Sequence, residues 1–144
     1  VPVTLGIMRF PRRTSAPSPI RSSPLAQTLD PEELASLDRL ATSVTIRNDR
    51  AVMEQASVGR ECLVVVDGEL EVERDGHIVA TLGPGELVGE AALLTGRPRN
   101  ATVRASAGST VYALNRREFA SMMRTSPAFA EHVRRTDEMR RAAA

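Results

Sequence analysis

Between positions 85 and 105 the chain reads Gly-Glu-Leu-Val-Gly-Glu-Ala-Ala-Leu-Leu-Thr-Gly-Arg-Pro-Arg-Asn-Ala-Thr-Val-Arg-Ala. A carboxylate and a guanidinium flank a short apolar stretch, a layout that suits a small phosphorylated sugar. Gly89 lets the backbone approach a ligand with no Cβ in the way. Glu90 supplies acceptors for a pair of ribose hydroxyls. Ala91 to Leu94 have the composition of one or two helical turns, whose first N–H groups favour an anion. Arg99 carries a planar fork that meets two phosphate oxygens at once. Arg97 is the rival guanidinium. Arg99 is preferred because it immediately precedes a strand, whereas Arg97 reads as solvated. The plainest alternative is that Glu90 and Arg99 only neutralise each other as an internal ion pair.

Other chemistries find less support. A metal-dependent enzyme on a β-roll needs clustered His and carboxylate ligands. The two histidines, His77 and His132, are isolated on different elements, so no metal is expected. No nucleophile stands beside a base, and catalysis is not expected. The single cysteine, Cys62, lies in the apolar run Cys62-Leu63-Val64-Val65-Val66 and reads as a buried structural thiol. The row Glu69, Glu71 and Glu73 reads as a solvated strand face. All 19 basic residues are Arg and the net charge is +1, which argues against a strongly basic nucleic-acid binder. No apolar stretch reaches membrane-spanning length and Val1–Met8 does not read as a secretory signal, so a reducing, cytoplasmic setting is expected. The missing initiator Met suggests a trimmed chain.

The elements that must position the cassette follow from periodicity. Residues 1–29, rich in Pro, Ser and Arg from position 9, predict a disordered or loosely docked arm. A solvated tail is favoured there over an RNA-binding arm. Asp30-Pro31-Glu32-Glu33 combines a cap, a first-turn proline and an acid at the third position, and starts a helix over 31–41. From Ser43 the period falls to two. Strands are predicted at 43–47, near 52–55, at 62–66, 69–74, 77–82, 86–88, 101–105 and 110–114, with Asp75-Gly76 closing a hairpin. Asn115 and Glu118 cap another helix, with Phe119 and Met122 or Met123 facing the strands. Ser126-Pro127 opens a last one. Phe129, Val133, Thr136 and Arg140 share one face of it, so Arg140 belongs to the face that packs on the strands. The pattern predicts a mainly β fold: an antiparallel sandwich or roll of the double-stranded jelly-roll type, with one short N-terminal helix, a short cassette helix and two C-terminal helices.

Val88-Gly89-Glu90-Ala91-Ala92-Leu93-Leu94 and Pro98-Arg99-Asn100-Ala101-Thr102-Val103 carry a resemblance. From about residue 30 to 141 the chain resembles the cyclic-nucleotide-binding domain. That family includes the bacterial catabolite activator, the regulatory subunits of cyclic-AMP-dependent kinase and gated channels. Residues 30–144 are accordingly expected to form one such domain. The resemblance implies that Glu90 receives the ribose 2′-hydroxyl and Arg99 the exocyclic phosphate oxygens. It implies further that Gly89 and the N–H groups of Ala91, Ala92 and Ala101 complete the anion cradle. Arg140 matches a helix position that caps the base in some channel members and is a candidate lid. Asn100 stands where the family carries Ala, Ser or Thr, and its amide can bond phosphate or a guanine edge. Val88 stands in place of the usual Phe.

The expected function is a regulatory sensor. Cyclic AMP, favoured over cyclic GMP, is captured at the cassette, and the last helix closes over the base. Three alternatives remain in view: a degenerate domain serving as a structural or interaction module, the sensor fragment of a longer transcription regulator, and that of a channel or transporter. Only three residues follow Arg141, too few for a DNA-reading element within this chain. Expected partners are the nucleotide and an effector domain or second copy of the chain.

Overall fold

A computed structural model describes residues 7–9, 21 and 23–143. Its strands are β1 (Ile7–Arg9), β2 (Thr42–Ile46), β3 (Arg50–Met53), β4 (Glu61–Asp67), β5 (Leu70–Arg74), β6 (His77–Leu82), β7 (Leu87–Val88), β8 (Thr102–Ala105) and β9 (Thr110–Asn115). The helices are α1 (Pro24–Thr28), α2 (Pro31–Leu40), α3 (Glu90–Thr95), α4 (Arg116–Thr125) and α5 (Pro127–Ala143). The strands form a five-stranded sheet ordered β1-β2-β9-β4-β7 and a four-stranded sheet ordered β3-β8-β5-β6, and each pairing is antiparallel.

Strand β4 shows how the layers stack. Its five apolar residues are all buried, a pattern that needs a core on both faces. Successive side chains point to opposite faces. Leu63 and Val65 therefore enter the core between the two sheets, with Val44, Ile46, Leu70 and Val103. Cys62, Val64 and Val66 enter a second core under the helices, with Leu37, Leu114, Phe119, Phe129 and Val133. At Asp75-Gly76 both residues have positive φ, 52° and 82°, as a two-residue turn joining twisted strands requires.

Two elements lie inside the segment read from sequence as an arm. Strand β1 pairs with β2 through Ile7↔Ile46. Helix α1 is capped by Ser23, has Pro24 in its first turn, and buries Leu25 and Leu29 in the helical core. The cue was a Ser-Pro start followed by leucines at an i, i+4 spacing, which the Pro- and Ser-rich composition masked. Residues 1–6, 10–20 and 22 of that expected arm lie outside the described residues. Strand β3 begins two residues before the expected 52, at Arg50.

The caps read from sequence are present. Asp30 with Glu33, and Asn115 with Glu118, form reciprocal capping boxes on α2 and α4. Glu33 does more: its Oε2 accepts hydrogen bonds from Ser126 Oγ at 2.5 Å and Ala128 N at 3.2 Å. It thus ties α2 to the joint between α4 and α5. These bonds, the one from the Asp30 N–H foremost, hold its carboxyl below the usual range. No helix among the described residues is long and apolar enough to cross a membrane.

Helix α5 is held by its first two turns. Phe129 and Val133 are fully buried, and the Phe129 ring meets Phe119 edge-on at 6.1 Å and 74°. Truncating a ring in such a site costs about 3–5 kcal/mol. Phe129→Ala should lower unfolding free energy by about that amount in urea titration. A loss under about 1 kcal/mol would mean that α5 is not anchored there.

Candidate ligand site at the cassette

Strand β7 pairs with β4 through Leu63↔Val88 and Val64↔Leu87, delivering the chain to Gly89 beside the core. Gly89 has φ +91°, and a Cβ there would fall 2.6 Å from Arg99 Nη1 and 2.8 Å from the Glu61 carbonyl oxygen. Conformation and space both exclude a side chain. Gly89 caps α3 with no side-chain hydrogen bond, and Gly96 ends it with φ 73°.

Arg99 follows α3 and is held on every side. Its backbone is bracketed by the β3–β4 loop: Ala56 N donates to Arg99 O and Arg99 N to Ser57 O, both at 2.7 Å. Its guanidinium is turned inward, with Nη1 donating to Gly89 O at 3.0 Å and Nη2 to Glu61 O at 2.7 Å. Only 8% of the residue is exposed. Burial lowers its pKa from the ordinary guanidinium value, yet an arginine remains charged in proteins. Arg97 is exposed, as expected for the rival.

Glu90, 2% exposed, opens α3. Its Oε1 accepts from Arg140 Nη1 at 2.6 Å, while Arg140 Nη2 donates to Leu87 O at 2.5 Å. Burial pushes the Glu90 carboxyl up, against the opposing pull of Arg140. Glu90 and Arg99 therefore occupy one cassette but do not form the internal pair weighed from sequence. Glu90 takes Arg140 from α5, and Arg99 takes two backbone carbonyls. The helical face Phe129-Val133-Thr136-Arg140 runs from the core to the cassette, as its spacing predicts.

The other expected site residues divide. Ala92 and Ala101 are buried against the cassette, and Ala91 is half-buried. Asn100 is exposed, and its carbonyl accepts from Arg74 Nε at 3.2 Å. Sequence reading missed the β3–β4 loop and the Glu61 and Leu87 carbonyls. A backbone acceptor leaves no mark in side-chain pattern. It also missed Arg116, whose Nη1 and Nη2 reach Leu93 O and Gly59 O, each at 3.4 Å. Cys62 is fully buried, and burial pushes its thiol up, which leaves it unreactive.

The raised Glu90 pKa has a stability consequence. A folded-state pKa above the unfolded one adds stability at pH below the unfolded value, and this is lost as pH rises through the folded value. The difference between wild type and Glu90→Gln isolates that contribution. Urea titrations from pH 4.5 to 8 should show the wild type losing ground to Glu90→Gln as pH rises. A difference independent of pH would mean that Glu90 is not desolvated.

The profile of the cyclic nucleotide-binding domain matches residues 43–126. A cyclic nucleotide-gated potassium channel of Mesorhizobium japonicum is 32% identical over 125 residues, covering 87% of this chain and 35% of the channel. The Thermus thermophilus catabolite activator protein superposes with a TM-score of 0.72 at 28% identity, over 84% of this chain and 60% of that one. The Toxoplasma gondii protein kinase A regulatory domain, crystallised with cyclic AMP, gives 0.61 at 29% identity over 72% of this chain and 41% of that one. The chain spans about a third of the length of the matching channels and kinase regulatory subunit, and about a fifth of other curated relatives. With the two-sheet roll, the glycine-led cassette and its buried Glu90 and Arg99, these matches place the chain in the cyclic nucleotide-binding domain family.

Proposed function

We propose that the cassette binds a cyclic nucleotide, cyclic AMP in preference to cyclic GMP, and that binding repositions α5. One observation carries this reading: a buried carboxylate directly follows the Gly89 turn, a buried guanidinium is bonded to the Gly89 carbonyl, and the carboxylate is linked to the last helix. In this reading Arg99 offers its fork to the exocyclic phosphate oxygens, exchanging the Gly89 and Glu61 carbonyls for a charged acceptor. Glu90 receives the ribose 2′-hydroxyl and gives up its bond to Arg140. Arg140 is then free to close over the base from α5. The N–H groups of Ala91, Ala92 and Ala101 supply further donors, and Asn100 lies at the rim where phosphate or base edge would pass. The regulated partner is an effector domain or a second copy of the chain.

A ligand moves such an equilibrium only by binding one arrangement more tightly than the other. The Glu90–Arg140 pair provides that difference, because the nucleotide and α5 contend for the same carboxylate. A second reading has its own support. Both buried charges are already satisfied within the chain, as in a domain that has become a structural or interaction module. Thermal unfolding separates the two, since a ligand raises the melting temperature by mass action. A shift with millimolar cyclic AMP or cyclic GMP favours the sensor, and none with either favours the module.

Removing one member of a buried charge-assisted contact costs about 2–5 kcal/mol of binding. Arg99→Ala should therefore lose that much affinity in calorimetry while keeping a cooperative melt. Wild-type affinity in this variant would remove Arg99 from the site. Arg140→Ala should leave binding measurable but abolish the nucleotide-dependent signal of a spin label placed at exposed residue 139 through Met139→Cys. A signal change as large as in the labelled parent would sever α5 from the mechanism.

A further inference from the structure

The β3–β4 loop holds a glycine that backbone conformation does not explain. Gly59 is buried, and its φ lies outside the left-handed region, so an L-residue could adopt its conformation. Space is what excludes one. A Cβ at position 59 would come closer than 3.0 Å to the Ala92 Cβ on α3. It would also lie 3.1 Å from Arg99 Cζ and 3.2 Å from Arg99 Nε. The same loop grips the Arg99 backbone through Ala56 and Ser57, and Ala56 is held at φ 71° while it donates to Arg99 O.

We propose that Gly59 is a positioning residue for Arg99: the missing side chain lets α3 and the guanidinium close onto the loop and fixes the height of the fork. Its functional consequence rests on the reading of Arg99 as the phosphate ligand. The guanidinium is framed by the Gly89 and Glu61 carbonyls at its amino groups and by Gly59 beside Cζ and Nε. Any side chain at 59 must lift α3 through Ala92 or turn the guanidinium off its carbonyls. Glu90 lies on α3 two positions before Ala92. Lifting α3 therefore changes the separation of the two buried charges that one ligand must span.

Gly59→Ala, Ala92→Gly and the double variant test this in the full chain with two readouts. One is the Arg99 Nε–H resonance of nitrogen-15-labelled protein without nucleotide, assigned by its loss in Arg99→Ala. The other is affinity for cyclic AMP and cyclic GMP by calorimetry. Gly59→Ala should shift the Arg99 resonance and weaken binding by about tenfold or more. Adding Ala92→Gly removes the worst clash. It should return the resonance toward its wild-type position and recover most of the affinity, although glycine within α3 weakens the helix. A merely structural role predicts the reverse, a double variant less stable and no better at binding than Gly59→Ala. An unmoved resonance in Gly59→Ala, or no recovery in the double variant, overturns the proposal. If Gly59→Ala does not fold, recovery of fold and resonance in the double variant decides it. If the wild type binds neither nucleotide, the ligand reading falls, while the resonance still decides whether Gly59 sets the position of Arg99.

Discussion

A carboxylate at 2% exposure must find a cation or give up its charge. Glu90 meets that constraint with Arg140, contributed by the far part of α5. Much of the architecture follows from bringing these two side chains together. Gly89 must turn in the left-handed region so that α3 starts beside β4. Helix α5 must run from its Phe129 anchor to the cassette, so its first turn is fixed by Phe119 and its joint with α4 by Glu33 and Ser126. Removing one partner of a fully buried pair costs about 3–5 kcal/mol. Here the Arg140 side chain is 35% exposed, so solvent offsets part of that loss.

Arg99 meets the same constraint differently. Its positive charge is dispersed over two carbonyl dipoles, and two of its five N–H donors are spent on them. A phosphate would form shorter, charge-assisted bonds in their place, roughly twice as strong as neutral ones. The net gain is a difference: what the anion offers, less what Gly89 O and Glu61 O lose. On the proposed reading, a cassette satisfied within the chain would still favour an anion whenever that difference is positive. In the proposed mechanism the β3–β4 loop would keep the exchange local, because it holds the Arg99 backbone through Ala56 and Ser57.

The parts of this fold written in side-chain type were legible in sequence. The capping boxes at Asp30/Glu33 and Asn115/Glu118, the buried apolar run of β4, the hairpin at Asp75-Gly76 and the face that carries Phe129, Val133 and Arg140 all follow from residue identity and spacing. The choice of Arg99 over Arg97 followed from its place before β8, and only Arg99 is buried. Helix α1 was hidden because proline and serine report local composition, while Leu25 gains its stability from a distant core. The partners of Arg99 were hidden for another reason. Glu61 and Gly89 act through carbonyl oxygens, which every residue has, as Leu87 does for Arg140. The pairing of Glu90 with Arg140 lay between these cases, since the helical face was readable but its meeting with the cassette depended on the tilt of α5.

The central claim is that two buried charges at the Gly89 turn exchange internal partners for one cyclic nucleotide. It is tested most directly by recording amide and arginine Nε–H resonances while the protein is titrated with cyclic AMP, cyclic GMP and linear 5′-AMP. The account predicts saturable shifts over Gly89–Ala101, with Arg99 and Arg140 changing together, for a cyclic nucleotide and not for 5′-AMP. Resonances in this segment that stay fixed with both cyclic nucleotides at millimolar concentration, or that follow 5′-AMP equally, would contradict it.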